Sequence, residues 1–154
     1  MSSTTTTTVD RVPRHTAEEI NRRIQKETER RVRYYANNPS GIDKRLRQLD
    51  EEWDIERVLE TNASALAFTG VALAATRDRR WLALPALVTA FLFQHAVQGW
   101  CPPVPIFRRL GYRTAHEIEE ERYALKALRG DFGPIGPGAD RDTRASHALQ
   151  AARL

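Results

Sequence analysis

The chain has 154 residues, a formal net charge of +4 and a sequence pI near 9.6, and its apolar residues are concentrated in one central block. Arginines alternate with glutamates around that block and no nucleic-acid-binding motif accompanies them, so we expect no nucleic-acid partner. A single cysteine, Cys101, excludes an intrachain disulfide and a cysteine-based zinc site. No basic-then-apolar signal peptide opens the sequence, so we expect the N-terminus to stay in the cytoplasm.

The region before the apolar block divides into two parts. Residues 1–15 are threonine-rich and hold too few apolar side chains to offset chain ordering, which predicts disorder. Residues 16–57 predict a charged, amphipathic helical arm with a first helix from about 17 to 36. In its second helix, four apolar residues recur at spacings of four, three and four and indicate one buried face: Ile42, Leu46, Leu49 and Trp53.

Residues 58–113 predict a transmembrane hairpin. From Trp81 to Trp100 there are twenty residues without a formal charge, which reach roughly 28 Å as a helix, the thickness of a bilayer core. The two tryptophans lie where indoles favour the membrane–water boundary, so we interpret them as interfacial anchors. The preceding stretch, Thr61 to Thr76, is less apolar, and we expect it to enter lipid together with its neighbour across the short turn Arg77–Arg80.

Small residues recur along one face of the first span. They fall at spacings of four, three and four, which lets helix backbones approach closely: Ala63, Ala67, Gly70 and Ala74. We interpret this seam as a helix-packing surface through which two copies of the chain associate, against the simpler reading that alanine is common.

Polar side chains are expected to meet near the cytoplasmic end of the hairpin. If the chain reverses between Asp78 and Arg79, residues of the two spans whose numbers sum to about 157 share a depth. This predicts an intramembrane polar cluster with these members: Glu60, Asn62, His95 and Gln98. Its simplest role is interhelical hydrogen bonding; the alternative is a path for protons or a small solute.

The segment after Trp100 contains three prolines in four positions, which predicts an extended stretch at the membrane surface. Cys101 is a candidate sulfur or redox residue, or simply a packing residue, because a helix C-terminus disfavours the reactive thiolate. Residues 114–130 predict a C-terminal helix opened by a capping box, Thr114 with Glu117. The run Glu117–Glu121 is interpreted as a solvated face, and residues 131–154 as a flexible tail with a weak helix at 143–152.

Two short motifs resemble a known family. Asp54-Ile-Glu-Arg57 leads into the hairpin, and Gly99-Trp-Cys101-Pro102 followed by Phe107-Arg-Arg-Leu-Gly111 closes it. This pattern resembles the YgaP-like two-span family of bacterial inner-membrane proteins, over roughly Asp54 to Arg113. In that family the hairpin is also found attached to a rhodanese domain, a sulfurtransferase. This chain has no rhodanese segment, so the resemblance implies a self-associating inner-membrane hairpin and no transferred sulfur chemistry.

These observations together predict an all-α membrane protein: a two-helix transmembrane hairpin flanked by amphipathic cytoplasmic helices, with both termini in the cytoplasm. We expect a non-catalytic structural or interaction module of the bacterial inner membrane that uses no cofactor and no metal. Its expected partners are the lipid bilayer, a second copy of the chain and a cytoplasmic protein. Two alternatives stay open: an accessory of sulfane or persulfide metabolism that uses Cys101, and a soluble helical bundle.

Overall fold

The computed structural model describes residues 9–133 and 141–153, and every regular element among them is a helix. The chain is all-α over these ranges, as predicted. The α-helices are α1 (Glu18–Asn37), α2 (Ile42–Glu51), α3 (Ile55–Thr76), α4 (Ala83–Gln98), α5 (Val104–Leu110), α6 (Ala115–Arg129) and α7 (Arg141–Arg153). Short 3-10 helices occur at Pro13–His15, Pro39–Gly41 and Arg79–Leu82.

The chain divides into two compact units. The first is drawn from Met1–Lys26 and Trp53–Glu117, and the second from Glu27–Glu52 and Ile118–Leu154. The first unit therefore holds the hairpin of α3 and α4 with α5, and the second holds α2 with most of α6.

The hairpin begins and ends at residues that suit helix termini. Asp54 caps α3, because its side chain accepts a hydrogen bond from the Arg57 N–H at 2.7 Å. In the turn, Asp78 accepts a hydrogen bond from the Arg80 N–H at 2.9 Å and starts the 3-10 helix that leads into α4. α4 ends at Gly99, whose φ of +77° lies in the left-handed region that glycine adopts without strain.

At Gly70, α3 and α4 pack closely together. A Cβ placed on this buried glycine would lie 2.5 Å from the Cδ of Pro85 on the facing helix. The small-residue seam is thus used within the hairpin at Gly70, where we had expected a second copy of the chain. The predicted pairing of two apolar helices into a hairpin is confirmed. Within it, Gly70 contacts Pro85 of the same chain.

The second unit has its own apolar core. Ile42, Leu46 and Leu49 of α2 are buried against Ile118 and Leu125 of α6. Three members of the predicted stripe therefore form a buried face, as expected. The fourth, Trp53, is largely exposed, and the Arg57 guanidinium lies 4.2 Å from its ring centroid in a cation–π contact.

Charged side chains pair across this second unit. Glu121 is fully buried and receives hydrogen bonds from Arg31 of α1 at 3.0 Å and from Arg45 of α2 at 2.7 Å. Arg122 pairs with Asp50, and Arg129 lies 2.6 Å from Asp43. These ion pairs therefore join α1 and α2 to α6.

The interpretation of Glu117–Glu121 as a solvated face is wrong for two of its residues. Glu117 and Glu121 are four residues apart, so they lie on the same side of α6, and that side is turned inward. Both carboxylates are compensated by arginines from elsewhere in the chain, which a single-segment pattern does not reveal.

The two ends of the chain depart from prediction where the structure describes them. Val12 is buried in the first unit's core and Pro13–His15 form a 3-10 helix, so residues 9–15 are ordered where we predicted disorder. Residues 1–8 lie outside the described part. In the predicted tail, Arg141–Arg153 form α7, somewhat longer than expected, while residues 134–140 are not described.

Two helical segments, Pro39–Thr76 and Arg79–Gln98, are long and apolar enough to cross a membrane by length and composition. Of the most apolar window in each segment, only 17% and 6% is buried within the protein. A core helix of a water-soluble domain would instead be mostly buried. Trp81 is exposed at the start of the second segment and Trp100 is half-buried just beyond its end.

Candidate functional site

A buried histidine joins the two hairpin helices through an ion-paired glutamate. His95 of α4 is 2% exposed, and its Nε2 lies 2.6 Å from the Oε2 of Glu56 in the first turn of α3. Arg11 donates to the other carboxylate oxygen of Glu56 at 3.0 Å. Because an ionised carboxylate only accepts hydrogen bonds, the Nε2 of His95 carries the hydrogen.

Arg11 also caps the C-terminus of α4. Its guanidinium donates to the carbonyl oxygen of Ala96 at 2.9 Å, which places a positive charge at the helix C-terminus, where the helix dipole favours it. The segment around Arg11 can approach because Gly99 has no side chain. A Cβ on Gly99 would lie 2.5 Å from the backbone carbonyl carbon and oxygen of Arg11.

The predicted polar cluster is therefore wrong in most of its members. His95 bonds Glu56, one helical turn before the expected Glu60, and Glu60 is exposed. Asn62 donates to the Val58 carbonyl of its own helix at 2.8 Å. Gln98 is likewise exposed and accepts from Gln94 at 3.5 Å. The expectation that His95 would hydrogen-bond across the hairpin is correct, but with a different partner.

Beside His95, a pocket of about 290 Å³ lies between α3, α4 and the segment from Cys101 to Phe107. Its wall is almost entirely apolar and includes Leu59, Phe91, Leu92 and Phe107, with His95 and Cys101 among the lining residues. The volume is close to the lower end of the range typical of small-molecule sites, about 300–1,000 Å³.

Comparison with protein-family models, with characterised proteins and with solved structures finds no match to this chain. The resemblance to the YgaP-like family therefore stays a prediction that rests on the motif residues alone. Among the residues that the structure describes, no group of three or more histidine, cysteine or acidic side chains is placed to hold a metal ion.

Cys101 is a poor candidate for sulfur or redox chemistry in this arrangement. It is 7% exposed, and burial raises the pKa of its thiol, which works against the thiolate that such chemistry requires. The nearby cation Arg108 does not stabilise a thiolate at Cys101, because its guanidinium is paired with Glu117. Cys101 instead belongs to the apolar cluster of the first unit with Ile55, Leu59 and Val104.

Arg108 is the centre of a buried hydrogen-bond network. Arg108 is 0% exposed and donates to both carboxylate oxygens of Glu117, at 2.6 and 2.7 Å. Its remaining N–H groups reach the Thr16 hydroxyl at 3.2 Å, the Asn21 side-chain oxygen at 2.9 Å and the Tyr112 carbonyl at 3.1 Å. Five donors thus meet five acceptors, which is the full capacity of a guanidinium.

Glu117 receives further stabilisation from the start of α6. Its carboxylate accepts from the Thr114 N–H at 2.8 Å, while the Thr114 hydroxyl accepts from the Glu117 N–H at 3.2 Å. The predicted capping box is confirmed. Burial alone would raise the pKa of Glu117, but the hydrogen bonds from Arg108 and from Thr114, with the Arg108 charge, outweigh burial and lower it.

Sequence reasoning named His95, Cys101 and Asn62 but missed Glu56, Arg11 and Arg108 as site residues. A signal for two of them was present. Glu56 belongs to the Asp54–Arg57 motif and Arg108 to the Phe107–Gly111 motif, which were singled out only as marks of resemblance. Nothing in the local sequence distinguishes Arg11, because its role depends on a contact with α3 and α4 more than forty residues away.

Proposed function

We propose that the chain is a non-catalytic membrane anchor whose α3–α4 hairpin spans the bacterial inner membrane and holds the charged helices at the cytoplasmic face. One observation carries the proposal. The hairpin exposes large apolar side chains, and two phenylalanines, Phe68 and Phe93, are 76% and 73% exposed. Further exposed apolar residues lie on the same helices: Leu66, Val71, Leu87 and Val97.

Such a surface is unfavourable in water and favourable in lipid. Monomeric soluble proteins rarely expose contiguous apolar patches larger than a few hundred Å². In a bilayer the same side chains meet acyl chains, and an α-helix pairs its interior backbone groups within the segment, as a membrane span requires. This favours the membrane reading over the soluble-bundle alternative.

The orientation follows from the arginines. Arg77, Arg79 and Arg80 are exposed in the turn, but basic residues are more numerous beside the outer ends of the hairpin, so both termini face the cytoplasm. The resemblance to the YgaP-like family supports the same location. The paired helices of the second unit then offer a charged surface to a cytoplasmic protein.

Self-association is part of the proposal, with one change from the sequence-based expectation. Gly70 of the small-residue seam is already packed on Pro85 of the same chain. A second copy would therefore meet a different face of α3, the exposed one that carries Phe68 and Val71. The sulfur-metabolism alternative has no supporting contact, because Cys101 is buried and its pKa is raised by burial.

The test is extraction of membranes from cells that express the full chain. We expect the protein to stay in the pellet after washing with alkaline carbonate and with high salt, and to dissolve only in detergent. As a matched control, the same chain with Phe68→Asp, Phe93→Asp and Val97→Asp should lose much of its membrane retention, because charges are unfavourable at the lipid-facing surface. Release of the native chain by carbonate would overturn the proposal.

A further inference from the structure

The short helix α5 has one buried face and one exposed apolar face. Val104 and Arg108 are four residues apart, and both are 0% exposed. On the opposite side of the helix, Ile106 and Leu110 are also four residues apart, but they are 59% and 70% exposed. Contact of two neighbouring aliphatic side chains with water is unfavourable, so this face favours an apolar environment outside the first unit.

Two arginines adjoin this exposed face. Arg109 is exposed and lies three residues after Ile106, on the same side of α5. Arg23 of α1 is also exposed, and its guanidinium donates to the Arg109 carbonyl oxygen at 2.7 Å, at the C-terminal end of α5. Neither guanidinium pairs with an acidic side chain among the residues that the structure describes, whereas Arg11 and Arg108 of the same unit each pair with a glutamate. The face therefore combines apolar side chains with unpaired positive charge.

The position of α5 along the hairpin indicates what meets this face. Val104 of α5 packs in the apolar cluster with Leu59 and Ile55 of α3. Leu59 and Ile55 lie roughly 26 and 32 Å from the end of α3 at Thr76, at about 1.5 Å per helical residue. The hydrocarbon core of a bilayer is about 30 Å thick. If the turn of the hairpin lies at one boundary of that core, α5 lies at the other boundary, beside the cytoplasmic headgroups.

From this arrangement we propose that α5 lies in the headgroup layer of the cytoplasmic leaflet and binds an anionic phospholipid there. Ile106 and Leu110 insert among the upper acyl segments, while Arg109 and Arg23 bind the lipid phosphate through their N–H donors. An acidic protein would match the two arginines as well, but a face at this depth borders lipid before it borders the cytoplasm. The inference rests on the proposed membrane anchor and deepens it, because it assigns a lipid class to one face of the chain.

The first experiment locates this face with a fluorescent label. The full chain in a Cys101→Ser background is labelled with bimane after one further change and is placed in liposomes of phosphatidylcholine with phosphatidylglycerol as the minor lipid. The four changes are Leu87→Cys, Ile106→Cys, Leu110→Cys and Gln25→Cys. A nitroxide on a phospholipid acyl chain quenches a label in lipid, and acrylamide in the buffer quenches a label in water. We expect the labels at 106 and 110 to be quenched by the lipid nitroxide, like the label at 87 in α4, and the label at 25 mainly by acrylamide.

The second experiment tests the lipid charge with the label at position 106. The nitroxide is carried either by anionic phosphatidylglycerol or by zwitterionic phosphatidylcholine. We expect a preference for the anionic lipid of about fivefold for each arginine, and Arg23→Gln combined with Arg109→Gln should abolish it. Arg33→Gln combined with Arg47→Gln removes two exposed charges from the second unit; it is the matched control and should keep the preference. Arg23→Lys combined with Arg109→Lys retains both charges and should keep most of it.

Three results would refute the inference and leave the anchor intact, provided that the label at 87 reports lipid. They are quenching of the labels at 106 and 110 by acrylamide, quenching of these labels by neither agent, which would mean that a second copy or another protein covers the face, and equal quenching by the two lipids. A label at 87 that reports water would overturn the proposed anchor itself, and this inference with it. The comparison of the two lipids uses the native arginines, so it stands even where an arginine variant fails to fold.

Discussion

The guanidinium of Arg108 and the carboxylate of Glu117 form a two-point ion pair, at 2.6 and 2.7 Å, around a side chain with no exposed surface. The pair joins the end of α5 to the first turn of α6. Because Arg108 is buried, removal of its partner leaves an uncompensated charge in the interior of the first unit.

The first prediction follows from this pair. Glu117→Gln should lower the free energy of unfolding by about 3–5 kcal/mol, the usual effect of breaking a buried ion pair by removing one partner. The measurement is chemical unfolding in detergent micelles, followed by circular dichroism. Glu120→Gln, on the exposed side of the same helix, should change stability by less than about 0.5 kcal/mol.

The same pair predicts a pH dependence with a definite sign. The pKa of Glu117 is lower in the folded chain than the ordinary value of about 4.3, so the folded state binds the proton more weakly than the unfolded state. The stabilisation is fully present above the ordinary value and is lost as the pH falls through the lowered pKa. Glu117→Gln should remove this component, and an unchanged acid profile in the variant would contradict the assignment.

The second prediction concerns the contact between Gly99 and Arg11. Gly99→Ala should destabilise the chain for two reasons: the left-handed backbone, about 1–2 kcal/mol, and the clash with the Arg11 backbone, roughly 2 kcal/mol more. Gly111 is the matched control, because its φ is +95° and a Cβ there would meet nothing within 4 Å. Trypsin should cleave after Arg11 and Arg14 faster in Gly99→Ala than in Gly111→Ala. Equal rates would show that the close approach is unimportant.

The third prediction tests the packing of α3 on α4. Gly70→Ala should cost about 1–3 kcal/mol in unfolding free energy, because the added methyl group would lie 2.5 Å from the Pro85 Cδ. Pro85→Ala removes that atom and should restore more than half of the loss when combined with Gly70→Ala. Additive effects of the two changes in a double-mutant cycle would indicate that the residues do not pack together.

The fourth prediction is the orientation of the hairpin. In a Cys101→Ser background, a cysteine at position 79 in the turn should react with a membrane-impermeant maleimide in intact spheroplasts. A cysteine in place of Gln25 on α1 should react only after the membrane is opened. The reverse pattern would place both termini outside the cytoplasm.

The fifth prediction concerns the native cysteine. Because Cys101 is buried and its pKa is raised, its thiol should react with a small maleimide at least about tenfold more slowly than the exposed cysteine at position 79, with the difference lost on denaturation. Cys101→Ser should leave growth on sulfur-limited medium unchanged. A growth defect would contradict this prediction and support a role of Cys101 in sulfur metabolism.

The features that sequence predicted well are those controlled by local pattern. The stripe of Ile42, Leu46 and Leu49 needed only the helical repeat, and the Thr114–Glu117 capping box needed only residues three apart. The pair of apolar helices followed from segment length and a short turn. Each of these features depends only on residues that are close together in the sequence.

The depth of His95 was misjudged, since it bonds Glu56 and not a residue at the level of Asn62. The 3-10 helix Arg79–Leu82 rises about 2.0 Å per residue, where an α-helix rises about 1.5 Å, so the turn accounts for only about 2 Å of the difference. A count of backbone positions also ignores the reach of the His95 and Glu56 side chains.

The segment after Trp100 was predicted as extended, but Val104–Leu110 form α5. Pro103 precedes this helix and Pro105 lies in its first turn, where a missing N–H removes no helical hydrogen bond. Prolines here start a helix as well as ending α4. The burial of Val12 and Arg108 was unpredictable for another reason, since their partners are distant in sequence.

The five acceptors around Arg108 come from three stretches of chain: Thr16 and Asn21, then Tyr112, then Glu117. A fragment limited to α3, α4 and α5 would keep the Arg108 guanidinium but lose all five acceptors, including the Glu117 carboxylate that neutralises its charge. Dissection of this molecule into a minimal membrane peptide should therefore fail. The polar residues outside the hairpin therefore belong to the folded first unit together with its apolar residues.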